Sequence, residues 1–419
     1  MRVTQQTNRR FQRTLPDCLD EAIDCVSLAV QSDGHEFCAL ILTGSAARAE
    51  MTIVERDGSV VWLSDLEFLV PIESPKHLPS ARESLARITK AVSAQLLQKG
   101  QQLEVELTPA PFAYFTSLTP RIFSVELKEH GRQLFGKTNV LDLVPEIPTG
   151  GISEEEAWRL LSNRLVERIA ADLEWDALTV IEARYGLSKL ALDILTSSAV
   201  FAGAYETSYE RRYRRKNSVL NWLRQEGLEP NLVDRYSEIV SNTMKFKMHS
   251  QLEQNVPAVS PHYWGVIGDR GEGHDELNDL RKNLTRIALE VWAIQLSHVV
   301  GASGRPADVL DTLDLLRRLD SWRTKTRGWA VAAAKAPADQ RMQVIGRAVR
   351  LMARGTPRSH TYGCAWALLQ DGVGADETLA WVERHLPLVR PKAKGADRWR
   401  CLSTDCVDFW RSVLRMSVT

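Results

Sequence analysis

The sequence predicts an α+β fold in which a small mixed sheet is followed by a large all-helical region. Up to about residue 150, short apolar runs that end at glycine or alternate with polar residues are interspersed with amphipathic stretches. After Thr149-Gly150-Gly151, apolar residues recur at helical spacing and no strand pattern follows. This change of pattern predicts a domain boundary near residue 150.

The first region alternates predicted helices and strands. In chain order these are a helix over DCLDEAIDCVSLAVQ (17–31), a buried strand over EFCALILTG (36–44), a hairpin turning at Asp57-Gly58, a strand over SDLEFLVPI (64–72), a helix over SARESLARITKAVSAQLLQKG (80–100) and a strand over QLEVELTP (102–109). Glycine ends both the first strand, at Gly44, and the second helix, at Gly100.

The helical region begins with a start signal. Ser153 followed by Glu156 forms a capping box at the head of a long helix. The run from Gly301 to Pro306 has the composition of a linker. We therefore predict three domains, over residues 1–150, 151–300 and 301–419, and the sequence indicates no role for the last of them.

Bulk composition argues against several protein classes. Lys plus Arg number 53, and so do Asp plus Glu, so the basic excess of a dedicated nucleic-acid binder is absent. The six cysteines show no CxxC pair, which favours thiols in a reducing cytoplasm and argues against a zinc site. No signal-peptide core precedes the first domain, and no apolar run approaches the roughly 18 residues that span a bilayer. We expect a cytoplasmic protein with no membrane partner.

Two carboxylates interrupt the otherwise apolar strand SDLEFLVPI. Asp65 and Glu67 are two residues apart, so they share one face of the strand at a separation of about 7 Å. Paired carboxylates suit Mg²⁺, which takes a few protein oxygens and completes its shell with water and substrate phosphates. In a two-metal site, the ions hold the attacking and leaving oxygens of an in-line displacement. The alternative is an edge strand with a solvated polar face.

A glycine turn supplies the second half of a candidate site. The strand that ends at Gly44-Ser45 leads into a short helix, whose outward backbone N–H groups would favour a phosphate. The Ser45 hydroxyl would bond a phosphate oxygen. A third acid on a neighbouring strand would complete the metal site or deprotonate an attacking hydroxyl. Glu104 and Glu106 both qualify, and the sequence does not choose between them.

This order of motifs resembles the nucleotidyltransferase superfamily, which has the polymerase-β-like fold. In that family a Gly-Ser turn precedes a strand bearing Asp-x-Asp or Asp-x-Glu. GSAARAE resembles the Gly-Ser-x-x-Arg-Gly-Glu form of small-molecule and minimal nucleotidyltransferases, and SDLEFLV resembles the acid strand. The matching residues are Gly44, Ser45, Arg48, Glu50, Ser64, Asp65 and Glu67. Ala49 replaces the usual Gly, and the ERDGSV hairpin lengthens the interval between the motifs.

The resemblance covers residues 36–215, including SVELKEHGRQLFGK, and implies an activity. A nucleoside monophosphate would pass from a nucleoside triphosphate to a hydroxyl acceptor, a small molecule, at a two-metal Mg²⁺ site. Residues 1–150 would be the catalytic domain, and 151–300 a helical domain closing the cleft. The implied site residues are Asp65, Glu67 and Glu104 as metal ligands, Glu104 or Glu106 as catalytic third acid, and Gly44, Ser45, Arg48 and Lys189 as nucleotide ligands.

Two other functions stay open. An RNA end such as that of tRNA would be the acceptor in a toxin-type relative, and the basic run YERRYRRKN (209–217) would offer phosphate contacts. The zero net charge argues against RNA, and a solvated helix end explains the run equally well. A non-catalytic nucleotide-binding protein of the same fold would explain Ala49, whereas the presence of Asp65 and Glu67 argues against a decayed site.

Overall fold

A computed structural model describes residues 15–33, 37–56, 59–252, 274–302, 309–370, 376–390 and 397–415. The chain forms two compact units. The first comprises Met1–Ile152, Glu206–Arg211 and Asn242–Tyr263, and the second comprises Ser153–Tyr205, Arg212–Ser241 and Trp264–Thr419. Each unit is therefore assembled from three separate stretches of the chain.

The first unit combines helices with short strands. Helices α1–α5 are Leu15–Ser32, Gly44–Ala47, Leu78–Gln98, Phe112–Thr116 and Ile122–His130. Strands β1–β7 are Ala39–Leu42, Ile53–Arg56, Ser59–Trp62, Leu66–Ile72, Gln101–Gln102, Val105–Pro111 and Arg132–Gly136. Short 3-10 turns occur at Pro75–His77, Val140–Leu143 and Thr149–Gly151.

A four-stranded mixed sheet positions the candidate site. Its strand order is β6-β4-β1-β7, with β1 antiparallel to both β4 and β7 and β4 parallel to β6. Leu42, the last residue of β1, pairs with Phe68 near the start of β4. Leu66, the first residue of β4, pairs with Val105, the first residue of β6. The end of β1 and the starts of β4 and β6 therefore meet at one edge of the sheet.

Apolar side chains cover both faces of this sheet. Leu42 and Phe68 belong to a buried cluster that includes residues of α1 and α3. Ile41 and Leu69, their neighbours along the same strands, belong to a second cluster with residues of α4 and α5. Successive residues of a strand point to opposite faces, so the continuous apolar runs of β1 and β4 supply both cores.

A smaller sheet has the order β2-β3-β5. β2 and β3 pair antiparallel with Arg56 opposite Ser59, which confirms the predicted hairpin, although its turn at Asp57-Gly58 lies outside the described residues. The two-residue strand β5 pairs parallel with β3. Neither β5 nor the five-residue β7 was predicted, because strands this short carry little periodic signal.

From residue 153 onward, every element in the described part of the chain is helical. Helices α6–α17 are Glu154–Leu173, Val180–Phe201, Tyr209–Arg214, Lys216–Gln225, Pro230–Leu252, His274–Val299, Val309–Leu319, Trp322–Lys335, Arg341–Leu351, Pro357–Leu368, Asp376–His385 and Arg398–Phe409. A 3-10 turn occurs at Trp175–Ala177 and a π-helical turn at Trp410–Arg415. The predicted start of α6 is correct, since the Ser153 hydroxyl accepts the Glu156 N–H at 3.2 Å.

Tryptophans form part of the core of the second unit. The rings of Trp158 and Trp292 have centroids 5.3 Å apart, and Trp366 stacks on Trp292 at 5.4 Å. The Trp292 indole donates to the Ser162 hydroxyl, and the Trp366 indole donates to the carbonyl of Leu289. Large aromatic surfaces are thus buried with a hydrogen-bond acceptor for each of these two N–H groups.

The predicted α+β class is confirmed, with the small mixed sheet in the N-terminal region and helices after it. The division of the helical region near residue 301 stays a prediction. In the part of the chain that the structure describes, no helix is both long enough and apolar enough to cross a bilayer.

Candidate metal centre

Three carboxylates lie together at the edge of the four-stranded sheet. Asp65 directly precedes β4, Glu67 is the second residue of β4, and Glu106 is the second residue of β6. One carboxylate oxygen of each lies within 4.8 Å of the other two. Among the described residues, this is the one group of three or more potential ligands close enough to share a metal ion.

Strand pairing explains the grouping. β4 and β6 are parallel with Glu67 opposite Glu106, so these two side chains leave the sheet on the same face. Asp65 lies two residues before Glu67 and shares that face. Asp65 and Glu67 are half-buried, whereas Glu106 is exposed. Two acids from one strand and one from its neighbour thus converge without a long loop.

Glu104 does not belong to this group, contrary to the metal role predicted for it. β6 begins at Val105, so Glu104 lies before the strand, where it is exposed and its carbonyl accepts the Leu66 N–H at 2.9 Å. The ladder between β4 and β6 starts only at Leu66 and Val105. Glu106 is therefore the third acid of the cluster, and Glu104 is a nearby carboxylate outside it.

The glycine turn lies against the carboxylate of Glu67. The Thr43 N–H donates to the Glu67 carbonyl at 2.9 Å and joins the end of β1 to the acid strand. Gly44 follows with φ +66°, and a Cβ added there would lie 2.8 Å from Cδ of Glu67 and would also clash with its Oε2. Only glycine combines this φ with so close an approach. Half-buried Ser45 follows in α2, so the predicted turn and the acid pair are adjacent.

Arg48 belongs to a buried ion-pair network. Its side chain is 9% exposed, and it pairs through Nε with Glu50 at 2.9 Å and through Nη1 with Glu126 at 2.5 Å. Burial alone would lower the pKa of Arg48, but Glu126, Tyr209 and Glu50 raise it above the ordinary value of arginine. Carboxylates of the protein already compensate the charge of Arg48, so the contacts seen for it are structural, and its predicted nucleotide contact stays a prediction.

Glu50 connects the turn to a distant segment of the same unit. This carboxylate is 6% exposed, and its Oε1 accepts the backbone N–H of Tyr209 at 2.6 Å and that of Glu210 at 3.4 Å. The Arg48 guanidinium lies 5.5 Å from the centroid of the Tyr209 ring. Glu50 thereby satisfies backbone donors at the start of α8 that a helix leaves unpaired.

Ala49, at the position where the motif considered above usually has glycine, has a left-handed backbone conformation. With φ 55°, it is the only non-glycine residue with positive φ in the described ranges. An L-residue in this region bears a strain of about 1–2 kcal/mol. Glycine would adopt this backbone conformation without that strain.

Lys189, the nucleotide ligand predicted in the helical region, lies in the second unit on α7. Its Nζ is 4.9 Å from the centroid of the Tyr185 ring. The contact of Lys189 with a triphosphate stays a prediction.

Three residues near the turn were not identified from the sequence, namely Glu126, Tyr209 and Lys247. Lys247 is 7% exposed, and its Nζ donates to Thr52 Oγ1 at 3.3 Å and lies 5.0 Å from the centroid of the Tyr209 ring. The last hydrogen bond joins residues 195 positions apart, so no local pattern indicates it. The one signal in the sequence was Glu50, since an acid in a largely apolar context is expected to have polar partners when it is buried.

The basic run 209–217 is partly engaged inside each unit. In the first unit, Arg211 Nη1 pairs with Glu129 at 2.7 Å. In the second, Arg212 is 2% exposed and donates from Nη1 to Thr196 Oγ1 at 2.6 Å. Arg211 is thus held by an ion pair, and Arg212 lies in the protein interior. These contacts weaken the interpretation of the run as a phosphate-binding site.

No protein-family model, curated protein or solved structure matches this chain. The resemblance to nucleotidyltransferases therefore depends on the motifs around Gly44 and Asp65. The geometry adds two facts that the motifs alone did not contain: the identity of the third acid and the contact between the turn and Glu67.

Proposed function

We propose that this protein is a Mg²⁺-dependent nucleotidyltransferase that transfers a nucleoside monophosphate from a nucleoside triphosphate to a hydroxyl group of a small-molecule acceptor. One observation carries the proposal. The carboxylates of Asp65, Glu67 and Glu106 gather within 4.8 Å beside the Gly44 turn. Three carboxylate oxygens this close together could hold a metal ion, which would neutralise their charge.

The donor set fits Mg²⁺. All three ligands are carboxylate oxygens, which this cation prefers. Oxygens bound to one Mg²⁺ lie about 3–4 Å apart, given Mg–O distances of about 2.1 Å. A spread of up to 4.8 Å needs only small side-chain rotations to reach this geometry. Asp65, Glu67 and Glu106 would hold one ion or bridge two, and would leave coordination positions for water and substrate phosphates.

When bound, Mg²⁺ supplies neutralisation of the charge on the triphosphate. The acceptor hydroxyl oxygen forms a bond to the α-phosphorus, and the bond from that phosphorus to the bridging oxygen breaks, so pyrophosphate leaves. Glu106, the exposed acid, accepts the proton that the hydroxyl loses. Ser45 and the backbone of Gly44 hold the terminal phosphates in line, so positioning contributes much of the rate.

A small acceptor is favoured over RNA. The chain has zero formal net charge, and Arg211 and Arg212 of the basic run are engaged within the protein. An RNA acceptor would need cations for its phosphates, and two cations of the run 209–217 already have partners in the protein. A non-catalytic role is the remaining alternative, and its signature is nucleotide binding without transfer.

We place the protein in a reducing compartment, the cytoplasm. All six cysteines are thiols, and four of them are buried. Cysteines present as free thiols are typical of cytoplasmic proteins.

Transfer of α-labelled nucleoside triphosphates tests the proposal. The full chain is incubated with Mg²⁺, each of the four triphosphates, and a panel of aminoglycosides, sugars and tRNA. We expect label on a small hydroxylated acceptor. Asp65→Asn and Glu106→Gln should each reduce transfer at least about 100-fold, since each removes charge that positions and neutralises the transition state. Glu104→Gln, an exposed acid two positions from Glu106, is the matched control and should retain activity.

Other outcomes reject the proposal in identifiable ways. Label found on tRNA alone would establish the RNA acceptor. Binding of the Mg²⁺–triphosphate complex without transfer to any acceptor would indicate the non-catalytic role. Equal activity of the Glu104→Gln and Glu106→Gln variants would remove Glu106 from the chemistry.

A further inference from the structure

Large exposed hydrophobic side chains concentrate on one helical hairpin of the second unit. Of nine such side chains in the described residues, five lie on α13 and α14: Trp322, Val331, Met342, Ile345 and Val349. Trp322 is 65% exposed, Met342 is 74% exposed and Val349 is 82% exposed. Isolated exposed apolar residues need no explanation, but a cluster marks an interaction surface.

The apolar residues of α14 follow helical geometry. Met342, Ile345 and Val349 are spaced three and four positions apart, so they form one stripe along the helix. A different face of α14 is already buried, where Val344, Ala348 and Leu351 pack into a core with residues of α13. A helix that is apolar on two faces is typically covered on both, yet the described residues of this unit cover only one.

The same hairpin is strongly basic. Helices α13 and α14 contain no acidic residue, and their seven cationic residues are Arg323, Lys325, Arg327, Lys335, Arg341, Arg347 and Arg350. The chain as a whole has zero formal net charge, so the hairpin is a local excess. Arg323, Arg327 and Arg341 are exposed and form no ion pair with a carboxylate of the described residues.

We propose that the outer face of the α13–α14 hairpin docks on an anionic lipid bilayer. The interfacial region of a bilayer accepts the apolar stripe, while lipid phosphates and carboxylates accept the guanidinium groups around it. The sequence predicted no membrane partner because no segment is long enough to span one, but surface docking needs no spanning segment.

Other occupants fit these observations less well. Nucleic acid would match the cations but would leave Met342, Ile345 and Val349 without an apolar partner. A second copy of the chain would match the stripe but would bring two sets of the exposed cations Arg323, Arg327 and Arg341 together. An anionic bilayer matches both properties at once.

Vesicle flotation of the full chain tests the proposal. Vesicles of phosphatidylcholine with about 30% phosphatidylserine are compared with pure phosphatidylcholine vesicles at about 0.1 M salt. We expect flotation with the anionic vesicles only, and progressive release as salt is raised. The double variant Met342→Glu/Val349→Glu should lose flotation. The control Leu28→Glu places the same change at a 64% exposed apolar residue of the first unit, and it should bind like the unchanged protein.

The charge contribution is measured separately. Replacing Arg323 or Arg341 by Gln should weaken vesicle binding about fivefold each, the effect of one cation near an anionic surface. Both positions are exposed, and circular dichroism verifies that the variants remain helical. None of these readouts depends on nucleotidyl transfer.

Three outcomes would overturn the proposal. The first is no flotation with anionic vesicles, and the second is undiminished flotation of the Met342→Glu/Val349→Glu variant. The third is binding of a poly(U) oligonucleotide, or dimerisation, that the same double substitution abolishes while vesicles are ignored.

Discussion

Two clusters of charge lie on either side of the Gly44 turn in the first unit, and they are built differently. The metal-centre cluster gathers three carboxylates, one of them exposed, within 4.8 Å. The network around Arg48 alternates acid, base and acid, with side chains between 8% and 14% exposed. Alternating charges stabilise one another, whereas gathered carboxylates could hold a metal ion. The comparison distinguishes charges that compensate one another from carboxylates that could hold a metal ion.

Removing the base from the alternating cluster should have the largest effect on stability. Arg48→Met leaves the carboxylates of Glu50 and Glu126 buried beside an apolar side chain. We expect a loss of about 3–5 kcal/mol in the free energy of unfolding, the usual consequence of breaking a buried pair from one side. Urea denaturation followed by circular dichroism measures it.

Lys99→Met is the control for that experiment. Lys99 pairs with Glu21 at 2.9 Å in the same unit, but its side chain is 36% exposed. Such a pair contributes at most about 1 kcal/mol. If both variants lost the same stability, the Arg48 network would not be the structural element that we describe.

Adding Mg²⁺ should stabilise the cluster of like charges and leave the alternating cluster unaffected. At a concentration 100-fold above the dissociation constant, binding adds about 2.7 kcal/mol to the folded state. We expect the melting temperature of the unchanged protein and of Glu104→Gln to rise with Mg²⁺. Glu106→Gln should melt at or slightly above the unchanged protein in EDTA and should respond less to Mg²⁺. An identical response of both variants would contradict the assignment of Glu106.

The smallest effect concerns the turn between the clusters. Ala49→Gly relieves the positive φ but gives the unfolded chain more freedom, so we expect between no change and a gain of about 1 kcal/mol. Ala47→Gly, inside the short helix α2, should instead lose about 0.5–1 kcal/mol. A loss at position 49 equal to that at position 47 would show that Ala49 is not strained.

These clusters also show what local sequence pattern can predict. Gly44, Asp65 and Glu67 could be identified from the sequence because each is unusual where it stands. Gly44 ends an apolar run, and the two acids interrupt another. The choice of Glu106 over Glu104 was not predictable, since it depends on where β6 begins and on its pairing with β4. Strand boundaries are the least certain part of any prediction from sequence.

The ion pairs of Arg48 were not predicted for a different reason. Its partner Glu126 is 78 positions away in the sequence. Glu50 accepts a hydrogen bond from Tyr209, which is 159 positions from Glu50. Contacts between residues so far apart in the chain produce no periodic pattern in the sequence. The motif indicated Arg48 and Glu50, but it did not indicate that they pair with each other or that Arg48 also pairs with Glu126.

The bond from Tyr209 to Glu50 has a practical consequence for anyone who divides this gene. The longest stretch of the first unit ends at Ile152, and the unit also includes Glu206–Arg211 and Asn242–Tyr263. A fragment stopping at Ile152 would leave the Glu50 carboxylate without the backbone donors of Tyr209 and Glu210. The sheet-bearing unit is therefore discontinuous in sequence, and a fragment meant to contain it should include the helices between its three stretches.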